Sequence, residues 1–254
     1  MPSFSANLGY LWTDLPLPDA VRAAARAGFA AVECHWPHDV PIRALIAALA
    51  DTDLPMLSLN TARGNLSAGE FGLTALPGRE EAARAAIDAA LDYAGAIDAG
   101  MVHVMAGKAE GPEAEATFVE NLRYACDRAG PGRTILIEPL NQHDAPGYFL
   151  RDTEHARAII ARVGAPNLKL MFDVYHVGRT EGDVLARLAD LLPLIGHIQF
   201  ASVPDRGPPD RGEVDYPTVF DALDALGWSQ PLGAEYRPDG DTDASLGWMA
   251  PYLA

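Results

Sequence analysis

Basic residues are scarce in this chain. Lysine and arginine together number 19 against 35 aspartates and glutamates in 254 residues, a formal net charge of −16. No run of Lys or Arg occurs, which argues against the basic face that a nucleic-acid partner needs. Cysteine is nearly absent. Cys34 and Cys126 lie too far apart for a disulfide framework or a zinc-ligand spacing, so both are read as reduced, mostly buried thiols. No apolar stretch approaches the roughly 20 residues of a membrane span. The opening MPSFSANLGY lacks the basic region and apolar core of a signal peptide, which points to a cytoplasmic protein. No GxGxxG opens a helix after the first strand, which weakens a dinucleotide-binding reading. There is no repeat shorter than one strand–helix unit and no low-complexity linker.

What is present is a regular alternation. Hydrophobic residues make up 49% and charged residues 21%, the balance of a globular chain. Strand-like runs SFSANL, AAVEC, PMLSLN, MVHVM, TILIE, LKLMFD, LIGHIQF and PLGAE are each followed by a helical or loop segment. Helices are expected over about Pro18 to Ala27, Pro41 to Ala50, Arg79 to Ala96 and Glu113 to Arg128. Further helices follow an N-cap at Asp152 or Thr153, then run near Asp183 to Leu191 and about Tyr216 to Leu226, with a weaker one from Asp243 onward. Two glycine-rich loops interrupt the pattern, Thr61 to Pro77 and Val203 to Gly212. Eight units without a composition break predict an α/β fold, a (β/α)8 TIM barrel, as a single domain over residues 1–254. A doubly wound open sheet is the alternative.

Four apolar runs close on a polar residue: Glu138, Asp173, Gln199 and Glu235, spaced by 35, 26 and 36 residues. A carboxylate or amide ending a buried strand is costly without a partner. In a barrel these ends converge on one face, where three carboxylates repel one another unless a cation sits among them. Three carboxylates and an amide are hard oxygen ligands, suited to Mg²⁺ or Mn²⁺. Glu138 and Glu235, on opposite sides of a substrate, would form an acid/base pair that moves a proton between adjacent carbons. His176, in DVYH, stands within reach of a substrate oxygen, and Arg206, in VPDRG, is placed to clamp a carboxylate. Glu33, Asn7, Asn60, His103 and Lys108 follow by the same strand-end logic, Asn60 and Lys108 as substrate contacts. His197 is given no role, being expected on the other face of its strand or in a deeper layer.

These segments resemble the xylose-isomerase-like TIM barrels and, within them, the hydroxypyruvate isomerase family. The resemblance runs through FSANLGYLWTD, GFAAVE, SAGEFGL with LPGRE, FVENLRYA, LIEPLN with DAPGY, FDVYH, GHIQFASVPDR, GEVDYPTVF and GAEYRP. It implies a divalent metal held by Glu138, Asp173, Gln199 and Glu235, with the two glutamates as acid and base and His176 and Arg206 near the substrate. It implies an aldose–ketose type isomerase of a small hydroxy-2-oxo acid, such as hydroxypyruvate to tartronate semialdehyde, and a possible homo-oligomer. SLNTARGNLSAGEFGLTALPGRE and VHVMAG are more similar to the 2-oxo-tetronate isomerase branch. Glutamine at 199 separates the chain from the sugar epimerases of the superfamily, which usually carry histidine there. One departure stands in the loop Gly207 to Gly212, where Pro208 occupies a position at which the family more often has glutamate, while Glu213 remains. The rival readings are a sugar 3-epimerase, a DNA-repair endonuclease, which would need a histidine-rich zinc site, and a non-catalytic binding barrel.

Overall fold

A computed structural model describes residues 1–253 of the chain. Eight strands form one parallel sheet: β1 (Phe4–Asn7), β2 (Ala31–Glu33), β3 (Ser58–Asn60), β4 (Met101–His103), β5 (Thr134–Ile137), β6 (Leu168–Asp173), β7 (Ile195–Phe200) and β8 (Leu232–Ala234). Hydrogen-bonded neighbours run β2-β1-β8-β7-β6-β5-β4-β3. The seam between β2 and β3 is closed by main-chain bonds. Val32 N donates to the Pro55 carbonyl at 3.0 Å, Leu57 N to Val32 at 2.8 Å, and Cys34 N to Ser58 at 3.1 Å. The expected eight-stranded barrel is therefore the observed one.

Helices α1 (Leu17–Ala27), α2 (Ile42–Thr52), α3 (Glu80–Ala96), α4 (Gly111–Ala129), α5 (Thr153–Val163), α6 (Val174–Thr180), α7 (Val184–Leu191) and α8 (Tyr216–Ala225) form the outer shell. Their ends follow local chemistry. In α1, Pro18 sits where its missing N–H costs nothing, Asp19 faces the positive helix end, and Gly28 stops the helix in the left-handed conformation at φ 91°. In α5 the Asp152 carboxylate caps His155 N at 2.7 Å.

Two expectations need correction. The stretch after β6 holds two helices, α6 and α7, rather than one near Asp183 to Leu191. Gly178 lowers the helical signal of α6, and its lack of a side chain is required by packing, since a Cβ there would lie 2.9 Å from Val203 Cγ2. The terminal segment Asp243–Tyr252 is a 3₁₀ helix, with Gly247 and Pro251 inside it.

The barrel inverts the usual sidedness. Phe4, Phe172 and Phe200 pack outward into the layer between sheet and helices, where Phe4 and Phe200 ring centroids are 5.8 Å apart and Phe220 of α8 meets both. The alternate positions, Ser5, Asn7, Glu33, Ser58, His197 and Gln199, are buried and hydrogen-bond to one another or to the mouth inside the barrel. Successive strand residues face opposite sides, so this split is set by parity along the chain.

Candidate active site

The site rests on a buried carboxylate at the end of β2. Glu33 accepts Ser5 Oγ at 3.5 Å, Ser58 Oγ at 3.3 Å, His197 Nε2 at 2.8 Å and Gln199 Nε2 at 3.1 Å. His197 thus shares the inner face with Gln199 in a deeper layer, not the opposite face of β7. Because a carboxylate only accepts, the bond from Gln199 fixes that amide: Nε2 points down to Glu33 and Oε1 is the free end. Parallel register sets Asp173 directly beside Gln199.

Above this floor three buried oxygens have no hydrogen-bond partner: Glu138 Oε1, Asp173 Oδ2 and Gln199 Oε1. Buried acceptors left empty cost free energy, and two of these belong to carboxylates. Burial and the neighbouring Glu235 and Asp173 push the Glu138 carboxyl well above its usual range. Burial and Glu235 also raise Asp173, to about 7. Donor atoms of Glu138, Asp173 and His176 lie within 4.8 Å of one another. His176, however, is a donor here. Its Nδ1 accepts the Asn141 backbone N–H at 3.0 Å, which leaves the proton on Nε2, 3.6 Å from Asp173 Oδ2 and 3.9 Å from Glu138 Oε1. Burial and Arg206 lower its pKa to about 3, so the ring is neutral. The oxygens that fit a hard divalent cation are therefore those of Glu138, Asp173 and Gln199.

Glu235, just past β8, sits differently. Its Oε1 accepts Asn7 Nδ2 at 3.1 Å and faces His35 Nε2 at 2.8 Å, and its Oε2 accepts Arg206 Nη2 at 2.9 Å. Burial works to raise its pKa, but Arg206 and His35 outweigh it and bring it to about 2. Arg206 adopts the left-handed region at φ 57°. Its guanidinium lies between the rings of Tyr10 and Tyr175, at 4.7 and 4.9 Å. Burial opposes its charge, and Glu235 and Asp173 more than restore it. His103 Nδ1 lies 3.5 Å from Glu138 Oε2, and burial lowers its pKa to about 4.

These groups open into a cavity of about 350 Å³ whose wall includes Glu138, His176, Arg206, Glu235 and Asn60. Lys108 does not share it: the side chain is exposed and outside the lining. The residues that sequence reasoning passed over are His35, Asn141 and Asp144. His35 directly follows the β2 run, so a strand-end search carried one residue further reaches it. Asp144 accepts Tyr175 Oη at 2.6 Å and lies 3.9 Å from Arg206 Nη1, supplying a carboxylate near that arginine. Glu213 is exposed on an outer groove and Pro208 is buried. No helix among the described residues is long and apolar enough to cross a membrane.

Comparison with known proteins agrees with this fold. The family model for xylose isomerase-like TIM barrels matches residues 21–252. The chain is 45% identical to a 2-oxo-tetronate isomerase of Cupriavidus necator, over 100% of this chain and 99% of that one. It is 37% identical to a hydroxypyruvate isomerase of Escherichia coli, over 99% and 100%. A crystal structure described as an AP endonuclease, family 2, from Brucella melitensis superposes with a TM-score of 0.96 at 39% identity, covering 100% of both chains.

Proposed function

The chain belongs to the xylose isomerase-like TIM barrel family and is an isomerase; from that premise we propose that it interconverts the carbonyl and hydroxyl of a short 3-hydroxy-2-oxo acid, hydroxypyruvate to tartronate semialdehyde. The observation that carries the reading is the contrast between two glutamates on one cavity. Glu235 is held by Arg206, His35 and Asn7, whereas Glu138 Oε1 has no partner, surroundings that support a base role for the first and a proton-returning role for the second.

Glu235, ionised, removes the proton from C3. The electron pair forms the C2–C3 double bond and charge moves onto the C2 oxygen. Glu138 delivers a proton to C2, the C3 hydroxyl proton passes to the C2 oxygen as C3 becomes the carbonyl, and proton exchange with solvent returns both glutamates to their starting states. His176 Nε2–H is the donor facing the substrate oxygens, held in that tautomer by Asn141. Glu138, Asp173 and Gln199, with Glu235 beside them, would hold a divalent cation such as Mg²⁺ or Mn²⁺. Such an ion would polarise the carbonyl and offset charge on the substrate oxygens.

The four-carbon 2-oxo-tetronates are the second reading, favoured by the name of the 45% identical relative. An endonuclease reading fits less well. A net charge of −16 opposes a phosphate backbone, and at the strand ends three unpartnered oxygens, of Glu138, Asp173 and Gln199, stand against one unpartnered imidazole nitrogen on the cavity lining, His103 Nε2.

The test is proton NMR in D₂O with Mg²⁺ and hydroxypyruvate, then with a 2-oxo-tetronate. Deuterium at C2 of tartronate semialdehyde supports the proposal. Glu138→Gln and Glu235→Gln should each abolish turnover in a folded protein, and wild-type rates in either would remove that residue from the mechanism.

A further inference from the structure

An anionic substrate approaching this site meets an acidic protein and a cavity floored by carboxylates. A cation with unspent donors is needed to hold its carboxylate. Arg206 is already committed, bonded to Glu235 at 2.9 Å and within 3.8 Å of Asp173. Lys108 lies outside the lining.

Arg63, three residues beyond the end of β3, is arranged differently. Its guanidinium carbon lies 3.5 Å from the centre of the Trp36 ring. Trp36 is itself fixed, its indole N–H donating to the Thr61 carbonyl at 3.1 Å. The arginine therefore stacks on a platform tied to its own loop, and the loop is pinned again where Gly72 N donates to the Arg63 carbonyl at 2.9 Å. Arg63 and Trp36 line the same cavity as Glu138 and His176, and Asn60 stands beside them on the β3 end. Among the described residues the Arg63 guanidinium has no carboxylate within ion-pair distance and donates no hydrogen bond to protein; burial alone perturbs it, lowering its pKa. A planar fork of five donors is thus oriented at low entropic cost, with its hydrogen-bonding capacity unused.

We propose that Arg63, stacked on Trp36, binds the carboxylate of the substrate and restricts this site to oxo acids over neutral sugars. This rests on the oxo-acid reading above and assigns a residue to it.

The experiment compares wild type, Arg63→Gln, Arg63→Lys and Arg237→Gln. Arg237 is the exposed cation of the same lining, 5.9 Å from the Tyr10 ring, and serves as the competing candidate. KM for hydroxypyruvate and a 2-oxo-tetronate is measured alongside calorimetric binding of glycerate, an unreactive hydroxy acid. Arg63→Gln should raise KM and the glycerate Kd by about tenfold to a hundredfold, as loss of a charge-assisted hydrogen-bonded pair does. Its kcat should fall far less. Arg63→Lys should recover little, because an ammonium lacks the fork. Unchanged KM and Kd in Arg63→Gln, or a shift confined to Arg237→Gln, overturns the assignment. If wild type turns over neither acid yet glycerate binding still depends on Arg63, the oxo-acid isomerisation fails and the carboxylate subsite stands.

Discussion

Divalent-cation binding to this protein should expel protons, and its affinity should climb with pH between 6 and 8. Asp173 titrates near 7 because burial and Glu235 disfavour its charge. At pH 6 about one molecule in ten carries that carboxylate bare, and at pH 8 about nine in ten. Asp173 alone therefore makes the apparent affinity about tenfold stronger at pH 8 than at pH 6, since only the ionised oxygen ligates. Glu138, raised by burial and by Glu235 and Asp173, acts with the same sign and steepens the slope. Three neighbouring groups are silent in this window: Glu235 at about 2 is already ionised, and His103 at about 4 and His176 at about 3 are already neutral. The assay is titration calorimetry with Mn²⁺ at pH 6, 7 and 8, each in two buffers of different ionisation enthalpy. The difference in heat between buffers counts the protons released, which should exceed half a proton at pH 6 and fall toward pH 8. A flat affinity with buffer-independent heat would refute the claim that the ion binds on these two perturbed carboxylates.

Other consequences are separately measurable. Gly233→Ala places a Cβ 2.2 Å from Glu33 Oε1 and 2.8 Å from Gln199 Cγ, so it should cost about 1–3 kcal/mol of stability and weaken cation binding, read by thermal melting and calorimetry. Arg206→Gln leaves Glu235 buried without its cation. Removing that partner should destabilise by about 3–5 kcal/mol, and because Arg206 depresses Glu235, the acidic limb of the pH–rate profile should move to higher pH. Both thiols are buried and burial raises their pKa, so a disulfide-forming reagent should find no fast-reacting cysteine in the native protein and two after denaturation.

Much of this was legible from parity and position. The eight apolar runs mark the eight strands because each is short, apolar and bounded by turn residues. Their closing residues converge because parallel strands in a barrel all end on one face. Two kinds of information were not legible. Side-chain bonds across the barrel, such as His35 to Glu235 over 200 positions of sequence, leave no local trace. Small helices lose their signal to packing: α6 is seven residues long, and its Gly178 answers to Val203 rather than to helix propensity. Lys108 shows the reverse error, since proximity to a strand end does not guarantee that a side chain turns inward.

The alternation along the strands separates two inheritances that most proteins keep entangled. On β7, Ile198 and Phe200 belong to the oily layer, while His197 and Gln199 belong to the wet centre. A lineage could rewrite every second letter of such a strand and acquire different chemistry, with the letters between them still assembling the same barrel.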